Sequence, residues 1–246
     1  KDESVVAEMK DLGADLCVMA YVTLMVPESA LNAPRLGSIQ YHPSLLPLHK
    51  GPSSINWPII FGETKTGLSI FWPDDGLDTG PILLQKDVAI APDDTLGSLY
   101  FNHLFPMGVA SMCEAVDLVR QGTAPRIEQD PSGGTYEGWC RAEDVKIDWH
   151  QPVDSVYNRI RGANPQPGAW TTLSGQKLVI LDSIRVGVTG ATPGTVTSID
   201  ETGMTIAGDG GSILVSRVKI ESGAKLSAAD FPGQLTASVG DLLGAS

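Results

Sequence analysis

SIQYHPSLLPLHKG, residues 38–51, sets a histidine between a β-like run and a proline. Ser38-Ile39-Gln40-Tyr41 reads as a strand, and Pro43 ends it, because a proline has no N–H to give to a sheet ladder. His42 therefore stands where a strand stops and a loop begins. In open α/β sheets that edge is where ligands bind. The other histidines have different surroundings: His103 lies in a helical pattern, and His150 follows Trp149 with nothing catalytic beside it. His49, in the loop after Pro47, suits a cleft wall and a solvent-exposed site equally. Strand-end loops carry sites more often than strand interiors do, which singles out His42.

Outward from this stretch, helix-like and strand-like segments alternate. Ser4 to Leu12 has helical spacing closed by Gly13, and Ala14 to Ala20 is an apolar run expected to be a strand buried on both faces. Pro27 to Leu31 and Pro52 to Phe61 read as helices, the second ended by Gly62. Thr66–Trp72 and Gly80–Lys86 read as strands joined by the polar connection Pro73–Thr79. A helix starting at Pro92-Asp93-Asp94-Thr95 keeps its apolar spacing to Leu118-Val119, with Pro106 expected to break it in two. This order implies an α/β fold with a Rossmann-like open sheet.

QGTAPRIEQDPSGGTYEG, residues 121–138, is rich in Pro, Gly, Ser and acids and reads as an interdomain connection. A helix over Pro152–Arg161 follows. After Trp170, short β-rich runs (LVILDSIRV, GTVTSID, GMTIAG, SILVSRVKI) alternate with glycine-rich turns, and the glycines of AGDGGS read as a hairpin. That texture predicts a small OB-like β-barrel. The expected domains are 1–138, catalytic, and 139–246, OB-like with a leading helix.

The chain has 246 residues and a net charge of −12, unevenly spread. Residues 1–140 carry 8 basic against 18 acidic side chains, net −10, and residues 141–246 carry 9 against 11, net −2. Nucleic-acid binding needs basic surface to neutralise phosphates, so this balance argues against a tRNA partner. Three cysteines (Cys17, Cys113, Cys140), odd in number and without CxxC spacing, argue against a disulfide scaffold or a zinc site. No apolar run approaches the ~20 residues of a membrane span, and KDESVVAEMKD lacks a signal-peptide core. The expectation is a cytoplasmic protein with no membrane partner. The abrupt helical opening leads us to expect further sequence upstream.

The second candidate for chemistry is Asp74-Asp75-Gly76-Leu77-Asp78-Thr79-Gly80. Asp and Gly form turns by themselves. Asp78, however, sits just before a Gly-Pro strand start, where a carboxylate can reach a histidine at a neighbouring strand end. Such a pair raises the imidazole pKa and sets its tautomer. No GxGxxG, P-loop, GxSxG or HExxH pattern occurs.

HPSLLPLHKGPSSINWPI, TGLSIFW and DDGLDTGPILLQK together resemble the formyltetrahydrofolate-dependent formyltransferase family, most closely its 10-formyltetrahydrofolate dehydrogenase hydrolase branch. The resemblance continues through LFPMGVASMCEAVDLVRQGTAPR, TYEGWCRAEDVKIDW and IRGANPQPGAWT and thins over the last sixty or so residues. It implies a catalytic histidine at His42 and a catalytic aspartate at Asp78. It implies folate contacts from Leu24, Met25 and Val26 and from Ser44, Leu45, Leu46 and Pro47, with Asp74, Asp75 and Gly76 holding the pteridine end through backbone groups. Transferases of the family carry asparagine two residues before the histidine, and the dehydrogenase branch tends to an apolar residue there. Here Gln40 keeps the amide on a side chain one methylene longer. The implied substrate is 10-formyltetrahydrofolate, its formyl group passing to water or to an amine acceptor, with no metal. Methionyl-tRNA and amino-sugar formyltransferases are the enzyme alternatives. A silent folate-binding module is the alternative of another class.

Overall fold

The computed structural model describes residues 3–220, 223 and 225–244. The chain divides into two compact units. The first gathers residues to Ile55, Lys65–Ile90 and Leu99–Trp139; the second gathers Asn56–Thr64, Ala91–Ser98 and the residues from Cys140 on.

In the first unit, α1 (Glu3–Asp11) and α2 (Glu28–Leu31) flank β1 (Cys17–Met19) and precede β2 (Ser38–His42). β1 pairs parallel to β2, with Met19 opposite Gln40. The chain then leaves this unit for α3 (Asn56–Ile60), shorter than the helix expected from Pro52, and returns as β3 (Lys65–Phe71) and β4 (Ile82–Ala89). The sheet order is β1-β2-β3-β4, and the β2–β3 and β3–β4 pairs are antiparallel. The sheet is therefore mixed, its only parallel pair among the described residues being β1–β2. For β3–β4 the reason is length: residues 72–81 are too few for the crossover of about a dozen residues that a parallel pair requires. β1 also departs from the expected doubly buried strand. It ends the sheet order, and Val18 is 47% exposed.

After α4 (Leu96–Leu99), a π-helical turn over Tyr100–Leu104 runs directly into α5 (Phe105–Gln121). Pro106 does not break the run. It is the second residue of α5, and the π-helical turn falls just before it, where its missing N–H interrupts the regular bonding without ending the helix. Gly122, left-handed at φ +72°, caps the other end. Ala115 and Val119 of α5 pack on Ile39, Leu68, Ile70 and Leu83 of the sheet to form this unit's core.

In the second unit, α6 (Val153–Gly162) lies against α3, close enough that a Cβ at Gly162 would meet the Ile60 side chain and the Asn56 carbonyl. Asn56 Nδ2 donates to the carbonyls of Gly162 (2.9 Å) and Gln166 (3.1 Å), tying α3 to the end of α6. The strands β5 (Trp170–Leu173), β6 (Gln176–Val186), β7 (Val196–Asp200), β8 (Gly203–Gly208), β9 (Gly211–Ile220) and β10 (Lys225–Ser227) form one antiparallel sheet, followed by α7 (Phe231–Gln234). Its order is β5-β6-β9-β8-β7, with β10 also on β9. AGDGGS is the hairpin turn between β8 and β9, with Gly210 at φ +79°. Among the described residues no ladder joins β5 to β7, so the expected barrel is not closed there. Val156, Ile160, Leu178, Ile180, Ile206 and Val215 are among the residues of the core.

Candidate active site

Side chains of β2 alternate across the sheet, so Gln40 and His42 share one face while Ile39 enters the core on the other. His42 sits opposite Ser69 of β3. The Ser69 hydroxyl donates to the Ser44 carbonyl (2.7 Å) and accepts from the Leu46 N–H (3.1 Å). Gln85 of β4 donates to both Ser69 Oγ (2.8 Å) and the Leu46 carbonyl (2.8 Å). Two strands thus grip the loop that leaves His42. Ser44 Oγ donates to the Leu48 carbonyl (2.6 Å), Leu46 is buried against Phe71 and Ile82, and the Leu46–Pro47 peptide is cis.

The loop brings His49 back under His42. The His49 backbone is left-handed at φ +53°, and its carbonyl lies 2.9 Å from His42 Nε2. A carbonyl only accepts, so Nε2 carries the proton and Nδ1 is the basic nitrogen of the neutral ring. Nδ1 faces Asp78 Oδ2 at 3.6 Å, and both side chains are buried, His42 at 5% and Asp78 at 7% exposure. Asp78 is itself left-handed at φ +54°. Its Oδ2 accepts the Gly51 N–H (2.9 Å), and Gln129 Nε2 donates to the carbonyls of Asp78 (2.9 Å) and Gly80 (2.7 Å). Within the same turn Asp74 Oδ1 accepts from the Gly76 N–H (3.0 Å) and from the Thr79 hydroxyl (2.7 Å).

Burial pushes the His42 imidazole below the usual histidine range, outweighing the Asp78 carboxylate, which pulls it up. The pair therefore does not raise the imidazole pKa as a carboxylate neighbour alone would. At neutral pH His42 is a neutral base with its lone pair turned toward Asp78.

His42 and Asp78, far apart in sequence, are brought together. Gln40 lies two residues back on the same face, half-buried. Leu24 and Met25 are exposed, Leu24 at 81%, in the loop after β1. Because β1 and β2 are parallel, that loop leaves the sheet at the same edge as His42. Ser44 and Leu46 face inward, Leu45, Pro47 and Val26 are half-buried, and Asp75 is exposed beside half-buried Asp74 and Gly76.

The segment read as a connection is part of this site. Thr135 N–H donates to the Pro47 carbonyl (3.1 Å), Lys50 N–H to the Thr135 carbonyl (3.2 Å), and Glu137 N–H to the Lys50 carbonyl (3.1 Å), a short parallel ladder. Thr135 Oγ1 accepts the His49 N–H (2.8 Å), and Glu137 Oε2 lies 3.0 Å from His49 Nδ1. Gln129, Thr135 and Glu137 were not readable as site residues, and His49 was balanced between cleft and solvent. The one local signal is the β-like Thr135-Tyr136-Glu137 inside an otherwise turn-rich stretch. Among the described residues no three His, Cys, Asp or Glu side chains cluster as metal ligands, and no helix is long and apolar enough to cross a membrane.

Residues 1–112 match the family described as formyl transferase, and residues 140–234 match the formyl transferase C-terminal domain. Cytosolic 10-formyltetrahydrofolate dehydrogenase of Mus musculus is 44% identical over 240 residues, 92% of this chain and 26% of that protein. The chain thus spans about a quarter of the length of the dehydrogenases it matches. Methionyl-tRNA formyltransferase of Syntrophus aciditrophicus (strain SB) is 36% identical over 99% of this chain and 78% of that protein. HypX from Aquifex aeolicus, solved in complex with tetrahydrofolic acid, shares the fold at a TM-score of 0.79 and 18% identity, over 97% of this chain and 42% of that one.

Proposed function

Since the chain belongs to the formyl transferase family, we propose that it binds 10-formyltetrahydrofolate and removes the formyl group, by hydrolysis to tetrahydrofolate and formate. The observation that carries this reading is the buried His42–Asp78 pair with Nε2 tied to the His49 carbonyl, which leaves Nδ1 as base. Water approaching the Nδ1–Asp78 edge gives its proton to that pair, Nδ1 ending protonated beside the carboxylate, as the water oxygen attacks the formyl carbon. The Gln40 amide donates to the oxyanion that develops, and Asp78 stabilises the imidazolium. Collapse breaks the bond from carbon to N10, and His42 returns its proton to N10 as tetrahydrofolate leaves. Acid–base help of this kind contributes about 10²–10⁴ in rate.

The exposed apolar loop at Leu24 and Met25, on the His42 edge of the sheet, supports a wall for the folate ring. Leu45, Pro47 and the turn at Asp74–Gly76 complete the binding side. We take residues 1–138 as the catalytic domain and 139–246 as the family's OB-like module. We place the reaction in the cytoplasm, on the likeness to cytosolic dehydrogenases.

A second reading, transfer to methionyl-tRNA, is favoured by the match along 78% of the Syntrophus transferase. The net charge of −2 over residues 141–246 weighs against it. The deciding experiment supplies 10-formyltetrahydrofolate with water alone, an aminoacyl-tRNA or an amino sugar, using His42→Ala as the blank. Formate release with water alone is expected. Formyl transfer to tRNA with no formate would replace hydrolysis by the second reading, and folate binding without any turnover would leave a silent binding module.

A further inference from the structure

We infer that Glu137 is a positioning residue for His42 and acts through His49. The inference rests on the reading of His42 as the base. Three observations converge on His49. Its carbonyl accepts the proton of His42 Nε2 at 2.9 Å, which is what leaves Nδ1 free to work as a base beside Asp78. Its backbone is left-handed at φ +53°, a conformation unfavourable for a residue with a Cβ and held only where its surroundings compel it. Its side chain is 6% exposed, with Nδ1 3.0 Å from the half-buried carboxylate of Glu137.

The backbone that carries this carboxylate is fixed to the segment that carries His49. Glu137 N–H donates to the Lys50 carbonyl, and a Cβ at Gly51 would strike the Glu137 carbonyl, so the two segments run in backbone contact. Glu137 and Thr135 clamp the side chain and the N–H of the one residue whose carbonyl orients the His42 ring. Removing the carboxylate takes from His49 Nδ1 its 3.0 Å contact with Glu137. The left-handed backbone then relaxes, and the carbonyl leaves Nε2. The His42 proton is then free to redistribute between its two nitrogens, and the population with a basic Nδ1 falls.

The test is ¹⁵N NMR of the His42 imidazole together with formate-release kinetics, on wild type, Glu137→Ala, Glu137→Gln, His49→Asn and the double variant. Asparagine tolerates a left-handed backbone but is too short to reach Glu137. In Glu137→Ala the two His42 nitrogens should move toward averaged shifts. kcat should fall about tenfold, the worth of one hydrogen bond, with KM inside about twofold. Glu137→Gln, whose amide oxygen can still accept from His49 Nδ1, should recover most of both. Glu137→Ala combined with His49→Asn should lose no more than His49→Asn alone. Unmoved His42 nitrogens in Glu137→Ala, or additive losses in the double variant, overturn the inference. Should Glu137→Ala fail to fold by thermal melt, His49→Asn against Glu137→Gln carries the same comparison. If wild type releases no formate while Glu137→Ala still shifts the His42 nitrogens, the hydrolysis reading fails and the positioning role stands.

Discussion

Asp78→Asn separates the charge of the carboxylate from its shape. One oxygen, Oδ2, does both jobs, accepting the Gly51 N–H at 2.9 Å and facing His42 Nδ1 at 3.6 Å. In the variant the amide oxygen must take that place, because an NH₂ group there would set a donor against the Gly51 N–H. The hydrogen bond survives in neutral form, at a cost of about 1 kcal/mol for losing its charge. The left-handed backbone at φ +54° is tolerated by asparagine, so no strain is added. Folding should therefore hold within a few degrees of Tm, and folate binding within a few-fold. Turnover loses the partner of the imidazolium and should fall at least ~10²-fold, equivalent to about 2.7 kcal/mol of barrier. Loss of the carboxylate also removes what pulls the His42 pKa up, so the acid limb of kcat against pH should shift to lower pH. Formate release across pH 5–8 and an NMR titration of His42 read both. An unchanged kcat with an unchanged His42 titration would refute the pairing and return Asp78 to a turn residue.

Three further outcomes are expected. Burial lowers the folded-state pKa of His42, so the unfolded chain takes up that proton first as pH falls below about 6.5. More protons on the unfolded state means stability falling with pH, by up to about 1.4 kcal/mol per unit for one group. Urea midpoints at pH 7.5 and 5.5 should show a smaller acid loss for His42→Gln than for wild type, and equal losses would exclude this contribution. Gly51→Ala places a Cβ against the Glu137 carbonyl at φ +106°, and should cost more than the roughly 1–2 kcal/mol of left-handed strain alone, measured as a lowered Tm with lost turnover. The acidic balance predicts weak tRNA binding with a shallow salt slope in filter binding; sub-micromolar affinity falling steeply with added salt would favour the tRNA transferase.

The features legible in the amino-acid order are those decided by neighbours along the chain. Pro43 after an apolar run ends β2 and puts His42 at its edge. Gly122 closes α5 because a glycine enters the left-handed region freely, and Asp209-Gly210 turns β8 into β9 for the same reason. Asp78 before Gly-Pro was readable as a turn with a carboxylate to spare. Tertiary structure decided what depends on distant partners. The orientation of β3 and β4 follows from a short connection, although the residues on either side read equally well as parallel strands. His49 was balanced between cleft and solvent, and it became buried because Thr135 and Glu137, 86 and 88 residues on, close over it. No local pattern encodes a contact at that separation, and the stretch that supplies it looks like a linker because Gly, Pro, Ser and acidic residues together make up most of it. The same holds for the His42 pKa. The carboxylate beside it could be inferred from two strand ends, but its loss of water is a property of the packed fold, and burial is the larger effect.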